Sequence, residues 1–175
     1  MNPDIAADFQ TLAQIAITLT GFTGIIGAVQ SRGGEALTDL QAYPIVTLLD
    51  VSALVVIAAF IPGTVALVIN GEAAIWAWSY RILLVVHLLA WLIALPYMNK
   101  GGWLFRRWPQ PERLIIAVAT CVGISTVIAE VAVISGFFVP LAPFVYQCIL
   151  ITLVAIAFVC FVMLMFGFNR QPNQE

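Results

Sequence analysis

Five long apolar stretches alternate along this chain with short polar breaks, and the stretches read as membrane-spanning helices. A bilayer core about 30 Å thick takes roughly 20 apolar residues of helix. Runs of at least that length occupy approximately 9–29, 44–69, 74–98, 112–138 and 141–168. The breaks are SRGGEALTDLQAY (31–43), the tight NGE (70–72), NKGGWLFRRWPQP (99–111) and a corner bounded by Pro140 and Pro143. None is long enough to fold as a soluble domain. The pattern predicts one all-α domain over 1–175, a polytopic bundle of five transmembrane helices.

Composition points the same way. The chain is 62% hydrophobic and only 9% charged, whereas soluble domains are about 25% charged because their surface faces water. A net charge of −2 argues against a nucleic-acid partner, which calls for basic patches. The opening MNPDIAADF is acidic where a signal peptide carries positive charge, so the first helix is expected to be retained. Cys121, Cys148 and Cys160 all fall in apolar segments without a CxxC spacing, and are read as small hydrophobes.

The distribution of charge orients the bundle, because basic loops are retained in the cytoplasm. With five spans, Arg32, Lys100, Arg106, Arg107, Arg113 and Arg170 fall on one side, while Asp4, Asp8 and Glu72 fall on the other. The expectation is an N-terminus outside, a C-terminus in the cytoplasm, and residence in the cytoplasmic (inner) membrane. Trp76, Trp78 and Tyr80 are expected at the outer interface of the third helix, where amphipathic rings settle. Trp103, Arg106, Arg107 and Trp108 form a cytoplasmic interfacial strip that either enforces topology or holds anionic lipid head groups.

The first span is the least apolar. Gln10, Gln14 and Thr18 recur at i, i+4 and i+8 on one face. Thr20, Gly24 and Ala28, with Gly21 and Gly27 nearby, make a second ridge of small residues. Such ridges let helix backbones approach closely in lipid. The first helix is therefore expected to be central or at a subunit interface. Its stretch LAQIAITLTGFTGIIGA (12–28) resembles the first helix of uncharacterised small bacterial multi-pass membrane proteins with a GF-[Ser/Thr]-GI core. The resemblance spans about one helix in five. It implies a bacterial inner-membrane setting and no activity.

Four ionisable residues lie inside spans: Asp50, Arg81, His87 and Glu130. An unpaired charge near mid-membrane costs a few kcal/mol on insertion scales, so each needs a partner or a function. Counting about 1.5 Å per residue, Arg81, Glu130, Gln14 and Gln147 fall at similar depths, roughly 8–12 Å from the outer helix ends. That predicts an outer polar layer, either a structural Arg81–Glu130 ion pair or a cavity open to the outside. Asp50 and His87 differ in depth by about 7 Å. They could relay protons, imidazole being the side chain that titrates near neutrality. His87 could alternatively be a packing residue, or the axial ligand of haem or a chlorophyll-type pigment flanked by Trp91. Pro62 is expected to break the second helix and free a carbonyl one turn upstream.

No HExxH, GxSxG, GxxxxGK[ST] or metal-suited carboxylate cluster occurs, so neither an enzyme nor a metal site is expected. Two functions remain from the sequence. One is a helical assembly or accessory subunit, partnered by lipid and by copies of itself or a larger membrane complex. The other is an oligomeric channel or proton/ion pathway through the four buried charges.

Overall fold

The computed structural model describes residues 3–31, 39–100 and 110–167, with side chains described over 7–25, 44–95 and 114–165. The helices are α1 (Pro3–Ser31), α2 (Asp39–Ala66), α3 (Glu72–Lys100), α4 (Gln110–Ile134) and α5 (Ala142–Gly167), with a short 3-10 turn at Val139–Leu141 before α5. Among the described residues no strand occurs. Four segments are long and apolar enough to cross a membrane: Pro44–Ala66, Glu72–Leu95, Leu114–Ile134 and Val139–Met165. Over its described residues α1 is not among them, because Gln10, Gln14 and its threonines dilute the apolar run.

The helices α2, α3, α4 and α5 close into a ring, each packed on the next, with α5 returning to α2. On the outside of the ring, α1 lies against α2 and α5. This corrects the expectation of a central first helix. Its inward face is Phe9, Ala13, Ala16, Leu19 and Thr23, while Gln10, Gln14, Thr18, Gly21 and Gly24 are exposed. The middle of the bundle belongs to α2 and α5, through Leu48, Val55, Ala58, Tyr146, Leu150, Leu153 and Ala157.

Burial here is the reverse of a soluble protein's. Ile25, Phe60, Leu92 and Ile128 are each about 60% exposed, part of an apolar outer surface far larger than a water-facing monomer carries. Many hydroxyls on these helices are satisfied locally, although the buried Ser52 hydroxyl has no partner among the described residues. Thr11, Thr18, Thr20, Thr23, Thr64, Ser79, Thr120 and Thr152 each donate to the carbonyl four residues earlier, so they need no partner from lipid.

Two helix boundaries differ from the hydropathy pattern in ways that matter for the site. The apolar run to 138 stops being helix at Ile134. There Gly136, at φ +95°, donates its N–H to Val133 O, and Phe137 donates to Ala132 O, the paired bonds of a Schellman cap. Pro140 then stands where its ring cannot extend the helix. By contrast α2 runs unbroken through Pro62 to Ala66.

Candidate functional site

At one end of the ring, where the α2–α3 and α4–α5 connections lie, aromatic side chains fill the interior. Phe9, Trp76, Tyr80 and Tyr146 are all buried. The Tyr146 ring sits 5.5 Å from Phe9, 5.7 Å from Trp76 and 5.3 Å from Tyr80, centroid to centroid. Both tyrosine hydroxyls are consumed by backbone: Tyr80 donates to Ala142 O at 2.8 Å and Tyr146 to Ala58 O at 2.7 Å. The second bond has a covalent cause. Ala58 O is the acceptor that residue 62 would normally serve, and Pro62 has no N–H to give it. Tyr146 supplies the missing donor, which keeps α2 continuous and locks α5 to it.

Below that plug His87 of α3 meets Glu130 of α4, Nδ1 to Oε1 at 2.8 Å, with the side chains 2% and 0% exposed. The expected Arg81–Glu130 pair is not formed among the described residues. The reason is that the helix ends are not level: Glu130 lies about 6 Å from the end of α4 and His87 about 22 Å from the start of α3, so depths counted from each helix's own end misalign the two residues that meet. Arg81 is six residues from His87, about 120° around the helix. It is exposed, and its guanidinium lies over the Trp78 ring at 5.1 Å, a cation–π contact.

The outer polar layer is therefore corrected throughout. Gln147 donates to Asp8 Oδ2 at 2.8 Å, tying α5 to α1 near the bundle surface. Gln14 is exposed on α1. Trp76 and Tyr80 are core residues; only Trp78 of that expected aromatic belt is exposed. Side chains of Gly27 and Ala28, and the strip Trp103, Arg106, Arg107 and Trp108, lie outside the described residues. Thr20 is half-buried, and a methyl group placed on Gly21 or Gly24 would meet nothing within 4 Å.

Beyond His87, toward the opposite end, the ring is hollow. A cavity of about 90 Å³ is lined by Thr47, Asp50, Val51 and Leu54 of α2 and by His87, Ala90, Trp91 and Ala94 of α3. Each set is spaced i, i+3, i+4, i+7, one helical face. The α4 wall is Ala119, Thr120 and Gly123, and the α5 wall is Leu153 and Ile156. Asp50 and His87 thus share one chamber, bridging the depth difference read from sequence through open space. The sequence holds the signal: small residues at Ala90, Ala94, Ala119 and Gly123 stand where the other end carries Trp76, Tyr80 and Tyr146.

No protein-family model, curated protein or solved structure matches the chain. The site must be judged on its geometry. The chamber does not fit haem or a chlorophyll-type ring, since sites for molecules even of drug size run about 300–1,000 Å³. Among the described residues no three His, Cys, Asp or Glu side chains cluster as metal ligands. What remains is chemically specific. His87 Nδ1 and Glu130 Oε1 share one hydrogen bond, which leaves Nε2 as the ring nitrogen that Glu130 does not engage. Glu130 Oε2 is buried without a partner among the described residues.

Proposed function

We propose that this chain is a non-enzymatic, five-span membrane subunit that assembles with a second copy or a larger membrane complex through the outward face of α1. The observation that carries the reading is the exposure of Gln10 and Gln14 on the least apolar helix, Gln14 on its outward face and Gln10 at a groove between α1 and α2. A carboxamide left in hydrocarbon without a partner is costly. Polar side chains and small-residue ridges are what hold helices together in lipid. Gly21 and Gly24, beside these glutamines and open on that face, would let a partner helix approach.

Threading α1 as a fifth span also gathers Arg32, Lys100, Arg106, Arg107, Arg113 and Arg170 on one side. That supports an N-terminus outside and a C-terminus in the cytoplasm of a bacterial inner membrane. Native mass after mild solubilisation tests the assembly. The wild type is expected as an oligomer or complex, and Gly24→Leu as the dissociated chain with unchanged helicity. A monomeric wild type would sink the reading.

The channel reading keeps one supporting observation, the chamber shared by Asp50 and His87. Against conduction stand the Phe9–Trp76–Tyr80–Tyr146 plug and the exposure of Arg81, which takes it out of any path through the ring. The arrangement supports a blind site better than a pore.

A further inference from the structure

The charged side chains inside the ring are unevenly partnered among the described residues. Among the described side chains the carboxylic acids and the bases are Asp8, Asp50, Glu72, Arg81, His87 and Glu130. Asp8, Glu72 and Arg81 are exposed. That leaves Asp50, half-buried, and Glu130, fully buried, with His87 as the base beside them among the described side chains. Glu130 is met by His87, and among the described residues Asp50 forms no ion pair. A positive guest in the chamber would give it one.

The chamber walls define which kind. Around His87, α2 contributes Asp50 and Thr47, α3 contributes Trp91, α4 contributes Glu130 behind the ring and Thr120 beside the chamber, and α5 contributes only Leu153 and Ile156. Thr120 spends its hydroxyl hydrogen on Ile116 O at 2.8 Å, so it offers lone pairs to the chamber. The carboxylate of Asp50, the lone pairs of Thr120 and the indole ring of Trp91 line the chamber and are groups that suit a cation with N–H donors. A dehydrated metal cation is poorly served, because it takes six or more oxygens and the chamber offers one carboxylate and two hydroxyls. The remaining lining, from Val51 and Leu54 to the alanines of α3 and α4, is apolar and suits methyl groups. A volume of about 90 Å³ limits the guest to a few heavy atoms.

We propose that the chamber between α2, α3, α4 and α5 is a binding site for a small protonated amine, ammonium or a short alkylammonium, held by Asp50 and Trp91 in front of the His87–Glu130 pair. It stands whether or not α1 pairs with another chain.

His87 is the only histidine, so ¹⁵N-histidine labelling of the full-length protein in nanodiscs gives the two ring nitrogens of one imidazole at the site itself. Titration with methylammonium chloride is expected to shift these signals saturably. Sodium chloride at equal ionic strength and methanol, the neutral analogue of matching size, are expected to leave them in place. Asp50→Asn should weaken it by about tenfold or more, the loss of a charge-assisted hydrogen bond, with helicity and native mass unchanged. Equal shifts with sodium or methanol, or no saturable response to methylammonium, would overturn the proposal. Because native mass is read separately, failure here is distinct from failure of the assembly reading.

Discussion

The two ends of the four-helix ring use the same helices and the same spacing to opposite effect. At the end of the α2–α3 turn, Trp76, Tyr80 and Tyr146 fill the interior, and both tyrosine hydroxyls are spent on backbone carbonyls. At the other end Ala90, Ala94, Ala119 and Gly123 leave a chamber, and Asp50 and His87 face it. One end fastens the bundle; the other keeps polar groups in reserve. The His87–Glu130 contact is the boundary between them. A polar group that is fully bonded inside a membrane reads as structure. One that faces space reads as a site.

The boundary pair is the place to break this contrast most severely. Glu130→Ala or His87→Ala removes one partner of a buried, hydrogen-bonded pair and is expected to destabilise the protein by about 3–5 kcal/mol. Replacing both by Leu should recover much of that loss, since well-packed apolar residues often substitute for a buried pair without penalty. Unfolding in mixed micelles, followed by helicity, measures both. A double variant no better than the singles would show that the pair is not a self-contained unit.

The plugged end gives the next largest effect. Tyr146→Phe leaves the Ala58 carbonyl without its donor and is expected to cost about 1–3 kcal/mol. The same substitution in a Pro62→Ala background should cost clearly less, because residue 62 then supplies its own N–H. Equal costs in the two backgrounds would mean that the proline is not why the tyrosine is there. The open end should respond in the other direction. Ala94→Leu fills part of the chamber and is expected to be neutral or stabilising by about 0.5–2 kcal/mol, while abolishing the methylammonium response. Smallest of all is Arg81→Gln, expected to change stability by less than about 1 kcal/mol, since the contact Arg81 makes among the described residues is the exposed one with Trp78.

Much of the fold is legible in the sequence because hydropathy and length alone mark the helices α2, α3, α4 and α5. The site is legible only in part. Asp50, His87 and Glu130 stand out as ionisable groups in apolar runs, yet their partners depend on where helices end. The run through Ser135, Gly136, Phe137 and Phe138 is nearly as apolar as helix, and hydropathy does not register a left-handed glycine. Depths counted from helix ends that are not level exchange His87 for Arg81 opposite Glu130. The Tyr146–Ala58 bond spans 88 residues, and the sequence signals only half of it, the proline that creates the need. The placement of α1 is legible only as a choice between the bundle centre and a subunit interface, for another reason. Small residues and amides mark a helix meant to be packed, but they do not say whether the partner lies within the chain or beyond it.

A double-mutant cycle tests the central claim, that Glu130 is held by His87 and not by Arg81, most directly. Unfolding free energies of the single and double Leu variants give the coupling for each pairing. His87 with Glu130 is expected to show about 1–3 kcal/mol of coupling, and Arg81 with Glu130 less than about 0.5 kcal/mol. The reverse order, with coupling concentrated on Arg81, would contradict the assignment and the chamber built upon it.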